Sequence, residues 1–245
     1  MTAATRRERG KAETDREIRQ QARALLVDQG PEAVTLRAIA RRVGITAPAL
    51  YRYYTSREDL VEHIRTDICT DLAAELNADL AELPSSDVLG QVLAICRGFR
   101  RWAIAHPQEF SLVFASPADP VGPDRAPHIV VPATDPFGQV FLAVAAQVLA
   151  ATTLAAPPDE SVPAELRADL DTFRANLLAT ITEAGYAIPE DALGVGTAYA
   201  ILKFWVRLYG QVALEVFGRF PFAVAKPEPL FEALLTDILL QVGLT

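Results

Sequence analysis

The segment from Thr35 to Tyr54, TLRAIARRVGITAPALYRYY, constrains this chain more than any other stretch. Thr35 is placed to cap a helix whose apolar residues Leu36, Ile39, Ala40 and Val43 recur at helical spacing. Gly44 stops that helix, because glycine enters the left-handed conformation without a steric penalty. Thr46 then caps a short second helix. Pro48 is tolerated in its first turn, where the amide hydrogen it lacks has no intrahelical use. Leu50 and Tyr54 are the inward positions of that helix. Two helices joined by so tight a turn form a helix-turn-helix, a shape that lets the second helix enter a DNA major groove while the first steadies it against the backbone. The same shape also occurs as plain core packing, so geometry alone leaves both uses open.

The flanking sequence extends the helical pattern. Residues 2–13 carry Arg6, Arg7, Arg9 and Lys11 without apolar periodicity and read as a mobile basic arm, either lying along DNA or merely solubilising. Thr14 and Glu17 have capping-box spacing, and Ile18, Ala22, Leu25 and Leu26 follow as one helix face that ends at Gly30-Pro31. Ser56 is placed to cap a fourth helix, over Asp59 to Leu83, in which Leu60, Ile64, Ile68, Leu72 and Leu76 recur every four residues. Further helices are predicted at about 87–105, 108–114, 137–154, 164–184, 190–217 and 228–242, with no alternating strand pattern of useful length. Pro117 to Pro136 holds six prolines and reads as a long loop; Ala155 to Pro163 reads as a shorter connection. The expected fold is therefore all-α, with about nine to ten helices. Residues 12–65 form a helix-turn-helix domain and residues 66–245 a larger helical domain.

Composition narrows the function. Over 245 residues, 51% are hydrophobic and 22% charged, which suits a packed helical protein and not a disordered tail. The most apolar run, Phe137 to Leu154, is interrupted by Gln139 and Gln147 and falls short of the roughly 18 apolar residues of a membrane span, so no membrane partner is expected. The polar N-terminus shows no secretory signal, and Cys69 and Cys96 suggest neither a disulfide framework nor a zinc site, which points to the cytoplasm. No metal or cofactor is called for. Net charge is −8, yet residues 1–65 hold 13 Lys and Arg against 9 Asp and Glu, while residues 66–245 hold 10 against 22. The basic excess sits in the helix-turn-helix half, where a DNA partner would lie.

With ARALLVDQGPEAVT before it and TSREDL after it, this segment resembles the DNA-binding domain of the TetR (tetracycline-repressor) family over about residues 14–64. The resemblance implies DNA contact from Arg37 on the second helix, from Ala47, Pro48 and Ala49 at the exposed start of the recognition helix, and from Tyr51. Tyr53 stands where the family often has a phosphate-binding His, so a donor is kept and a cation lost. Arg57 matches a usual Lys and, with the Thr35 and Thr46 hydroxyls, is expected on phosphate.

The resemblance further implies a C-terminal domain that dimerises and holds a ligand. FRRWAIAHPQEFSLVF and FWVRLYGQVALEVFGRF resemble the family's Trp-His-Gly subtype: Trp205 and Gly210 match, and Tyr209 replaces the His. The last two helices are apolar on more than one face, which nominates Tyr199, Val206, Leu234 and Ile238 for a four-helix homodimer interface. Aromatic residues Phe99, Trp102, Phe110, Phe114, Phe141, Phe173 and Trp205 are candidates to line a pocket for a small apolar effector, with ordinary core as the alternative for each.

The implied function is a ligand-responsive regulator: a repressor that binds a palindromic operator as a homodimer and is released by effector. An activator or a ligand-independent regulator on the same fold is the alternative reading. An enzyme finds little support, since His63, His106 and His128 form no triad, metal cluster or phosphate loop with their neighbours.

Overall fold

The structure, a computed structural model, describes residues 3–115, 135–183, 185–188 and 192–244. Among these residues it has ten α-helices and no strand. They are α1 (Ala3–Gln29), α2 (Leu36–Val43), α3 (Ala47–Leu50), α4 (Arg57–Ala81), α5 (Val88–Ala105), α6 (Pro107–Phe110), α7 (Pro136–Ala151), α8 (Arg167–Glu183), α9 (Val195–Val216) and α10 (Glu228–Gln241). None of the described helices is long and apolar enough to cross a membrane. The chain divides into two compact units, one of Met1–Asp71 with His106–His128, the other of Leu72–Ala105 with Ile129–Thr245.

In the first unit α1 packs on α2, and α2 on α3. The apolar stripes read from the sequence are buried: Ile18, Ala22, Leu25 and Leu26 on α1, Ile39 and Ala40 on α2, and Leu60, Ile64 and Ile68 on α4. Local chemistry sets the helix ends. The Ala38 amide donates to Thr35 Oγ1 (3.2 Å), the Ala49 amide to Thr46 Oγ1 (3.3 Å) and the Asp59 amide to Ser56 Oγ (3.1 Å). Gly44 closes α2 at φ 77°, in the left-handed region.

Three expectations need correction. The stretch expected as a mobile arm belongs to α1, which starts at Ala3. Thr14 is therefore not an N-cap: its hydroxyl donates back to the Gly10 carbonyl at 2.9 Å, the usual recourse of a mid-helix threonine. Residues 8–13 of that helix are exposed and carry no apolar period that could reveal it. Second, the boundary after residue 65 does not match the compact units. α4 serves the first unit as far as Asp71, and α6 with the π-helical turn Ser111–Ala115 belongs to it too, because α6 packs on α1. Third, α8 and α9 start later than predicted, at Arg167 and Val195. The long proline-rich stretch lies outside the described residues except for its end, where Asp135 caps α7 by accepting from the Phe137 and Gly138 amides.

In the second unit α5 packs on α7 and α9, α8 on α7 and α9, and α10 on α9. One core joins Ala146, Leu149, Leu177, Ile181 and Leu193; a second joins Val162, Leu170 and Ala198, with Phe173 against both. Two ion pairs staple α5 to its neighbours: Arg100 to Glu215 of α9 at 2.8 Å, and Arg97 to Glu232 of α10 at 2.7 Å. The Glu215 side chain is only 3% exposed, and Gln211 donates to it at 3.1 Å, so this buried carboxylate is paired and hydrogen-bonded as burial requires.

The start of α9 is pinned by a close approach. The Gly196 amide donates to Asp159 Oδ1 at 2.7 Å, and a Cβ at this position would lie 1.9 Å from the Pro157 carbonyl oxygen. Gly196→Ala is expected to destabilise the protein by about 1–3 kcal/mol, through overpacking that backbone cannot relieve. Thermal unfolding followed by circular dichroism checks this; an unchanged midpoint would contradict it.

Candidate nucleic-acid interface

Every residue predicted to touch DNA lies on α2, α3, their N-caps Thr35 and Thr46, the turn after α3 or the first residue of α4. Arg37 is exposed on α2, Pro48 is exposed at the start of α3, and Ala47 and Ala49 are half-buried beside it. Tyr51 is 57% exposed, an unusual position for a large ring with no role on a surface. Tyr53 is half-buried. Arg41 and Arg52, which sequence reasoning passed over, are also exposed here and add to the positive face. Their signal was available: Arg41 lies one helical turn beyond Arg37 on α2, and Arg52 lies between Tyr51 and Tyr53 in the turn after α3. The Thr35 and Thr46 hydroxyl oxygens accept from the helix amides, which leaves each hydroxyl hydrogen as a donor.

Arg57 behaves differently from its sequence-level role. Its Nε donates to the Val34 carbonyl at 2.7 Å and its Nη2 to the Pro31 carbonyl at 2.8 Å. The guanidinium thus ties the start of α4 to the one-turn 3-10 helix Pro31–Ala33, adding a second donor to the Pro31 carbonyl, which already accepts from the Val34 amide at 3.2 Å. With two of five N–H donors engaged, it retains donors for a further acceptor.

Behind the exposed face lies a polar cluster that the sequence did not reveal. Tyr54, 1% exposed, donates its hydroxyl to Asp15 Oδ1 of α1 at 2.6 Å. Arg19 bonds Asp15 at 2.5 Å and Asp67 of α4 at 2.6 Å, and its Nη1 reaches the Tyr54 oxygen at 3.4 Å. Burial and the hydrogen bond to Asp15 push the Tyr54 phenol above its ordinary pKa, so it stays a donor. Burial works against the Arg19 cation, but the Tyr54 hydrogen bond and the Asp67 and Asp15 carboxylates outweigh it and raise its pKa. His63 packs edge-on against the Tyr54 ring, with centroids 5.2 Å apart.

The face combines exposed arginines, an exposed tyrosine and a glycine-hinged pair of capped helices, the equipment for phosphate and base-edge contact. Comparison with known proteins agrees. Residues 18–64 match the model for bacterial regulatory proteins of the tetR family, and residues 92–238 match the tetracyclin repressor-like C-terminal domain. The chain belongs to the TetR family. An HTH-type transcriptional regulator of Mycobacterium tuberculosis is 30% identical over 200 residues, covering 81% of this chain and 78% of that protein. A second regulator from the same organism is 27% identical over 190 residues, covering 78% of this chain and 64% of its own length. The crystal structure of regulatory protein SCO4313 superimposes with a TM-score of 0.61 at 27% identity, covering 95% of this chain and 98% of that one. The protein is thus a DNA-binding transcriptional regulator of TetR type.

Three of the residues nominated for the pocket share one ring cluster. Phe99, Phe141 and Trp205 form a ring cluster in the second unit with Phe137 and Tyr209, at centroid distances of 5.0–6.3 Å. Phe110 and Phe114 of the first unit pack on each other as a tilted pair, with centroids 5.2 Å apart. Trp102 is fully buried, and Phe173 is shared between the two aliphatic cores. A shallow cleft beside α9 and α10, lined by Ala155, Lys203, Phe204, Arg207 and Val242, holds none of the nominated pocket residues. Of the interface candidates, Val206 is 57% exposed, Leu234 is half-buried, and the Tyr199 ring is half-buried beneath the Lys203 ammonium at 4.6 Å. Ile238 is only 2% exposed and already serves its own chain's core.

Two substitutions separate surface from support. Tyr51→Ala should weaken DNA binding at least about tenfold while leaving the unfolding midpoint unchanged, since its ring is solvent-facing and a base contact is worth about 1–3 kcal/mol. Arg57→Ala should instead lower stability by about 1–2 kcal/mol, because two carbonyls lose a charged donor. Paired titration and thermal melts check both; a stable Arg57→Ala protein would remove its supporting role.

Proposed function

We propose that this protein is a homodimeric repressor that binds a palindromic operator and is released by a small apolar effector. The observation that carries the DNA half is the exposed set of Arg37, Tyr51 and Arg52 on a capped helix-turn-helix. A dimer of such units reads two half-sites about 34–36 Å apart or a multiple of that distance. Arg37, Thr35, Thr46, Tyr53 and the spare donors of Arg57 serve the phosphates, while Tyr51 and the backbone behind Ala47, Pro48 and Ala49 approach the base edges.

Support for the homodimer comes from α9 and α10, where Leu202, Val206, Leu214, Leu230 and Leu240 expose large apolar side chains. Solvated alone, such a face is costly; a second copy of it supplies the missing partner. The effector site is assigned to the half-buried rings of Phe141, Trp205 and Tyr209, which offer apolar faces next to Phe99 and Phe137. A ligand that binds better to one spacing of the recognition helices shifts the population toward it and changes operator affinity by that difference.

Val206→Glu should convert the dimer to a monomer in analytical ultracentrifugation and lower operator affinity at least about tenfold, since only one half-site can then be held. A dimeric, fully binding Val206→Glu protein would reject α9 as the interface. The chain has two tryptophans, so Trp102→Phe leaves Trp205 as the single reporter. Apolar compounds that quench its fluorescence should also release the operator in a mobility-shift assay. Quenching without release would reject the effector role.

A further inference from the structure

Two arginines one helical turn apart on α1, Arg19 and Arg23, meet two aspartates one turn apart on α4, Asp67 and Asp71. Each arginine also has a buried neighbour beyond the aspartate. Arg19 lies against the Tyr54 hydroxyl at the end of the recognition turn. Arg23 pairs through its Nε with Glu109 of α6, whose side chain is 4% exposed. The second Glu109 oxygen, Oε2, is buried with no hydrogen-bond donor among the described residues. All of these residues belong to the first compact unit.

The ladder is poorly explained as a source of stability. The Asp67 and Asp71 side chains are 43% and 56% exposed, and ion pairs to such groups contribute little. Its buried members are the tyrosine and the glutamate, and apolar residues would fill their places at lower desolvation cost. What the arrangement does provide is geometry. A planar guanidinium with directed donors fixes both distance and angle, where an ammonium would not. A carboxylate buried with a single cationic partner cannot drift from it gradually, because the separated state leaves a bare charge in an apolar setting.

Resting on the DNA-binding reading, we infer that the Arg19–Arg23 ladder positions the recognition turn. The first rung holds Tyr54, and through it the angle at which Tyr51 and Arg52 face DNA. The second rung holds α1 and α4 to α6 through Glu109. Arg19, Arg23, Asp15, Asp67 and Glu109 are positioning residues; none needs to touch DNA.

The test uses a duplex that the wild-type protein selects from random-sequence DNA, with a scrambled duplex of equal length as control. Tyr54→Phe, Arg23→Lys and Glu109→Gln are compared with wild type on both duplexes at two salt concentrations, well below each variant's melting temperature. Each variant should lose about tenfold in affinity for the selected duplex and less than about twofold for the scrambled one, with an unchanged salt slope because no phosphate contact is removed. Tyr54→Phe combined with Glu109→Gln should lose less than the product of the single losses, as expected of one connected network. The ladder is overturned by wild-type affinity in Arg23→Lys and Glu109→Gln, by equal losses on both duplexes, or by independent losses in the double variant. If the wild type selects no sequence at all, the DNA-recognition reading falls first and the ladder with it.

Discussion

The pairing of α1 with α4 is the constraint on which the rest of the DNA-binding unit depends. Ile18, Ala22, Leu25 and Leu26 are buried, and that stripe fixes the rotation of α1 about its own axis. Once the stripe faces inward, Arg19 and Arg23 must lie on its flank, and their partners on α4 follow at the same four-residue interval. Apolar burial supplies the driving force but tolerates sliding; the directed charged pairs favour one register. α2 packs directly on α1 and α3 on α2, and Tyr54 adds a hydrogen bond from the turn after α3 to Asp15 of α1.

The helix-turn-helix itself is governed by short-range chemistry. Thr35, Thr46 and Ser56 each satisfy an amide at a helix start, and Gly44 supplies the left-handed residue between α2 and α3. Because all four act within three or four residues, the turn can hold its shape while its outer surface carries side chains chosen for DNA. Arg57 occupies both layers: its guanidinium braces the Pro31–Ala33 turn, and it lies next to the surface where phosphate would sit. A loss of DNA binding on its removal would therefore mix two causes, which melting measurements separate.

The second unit solves a different problem, that of an acidic, strongly apolar chain with several helices to arrange. Aliphatic side chains fill two cores, aromatic rings fill a third region, and the Arg100–Glu215 pair is buried between α5 and α9. The Arg100 guanidinium also lies over the Phe231 ring at 5.1 Å, so one cation connects α5, α9 and α10. The apolar residues left outside on α9 and α10 form the face assigned to a second copy.

Much of this was legible in the sequence. Caps, glycine stops and apolar periods are local, so α2, α3, α4 and their order could be read from residue identity, as could the family from TLRAIA, ALYRYY and SREDL. The start of α1 was not, because a charged, exposed helix carries no apolar period to distinguish it from an arm. The grouping of α6 with the first unit was not legible either: Glu109 meets Arg23 across 86 positions, and nothing in either neighbourhood marks the other. Nor was the meeting of Phe99, Phe137, Phe141 and Trp205 in one ring cluster, which joins α5, α7 and α9. The sequence by itself determined the helix-turn-helix, its threonine caps and glycine stop, and the basic face it presents. Only the tertiary structure decided which arginine meets which carboxylate and which rings share a site, because those pairings depend on how separate helices rotate and approach, which no local pattern encodes.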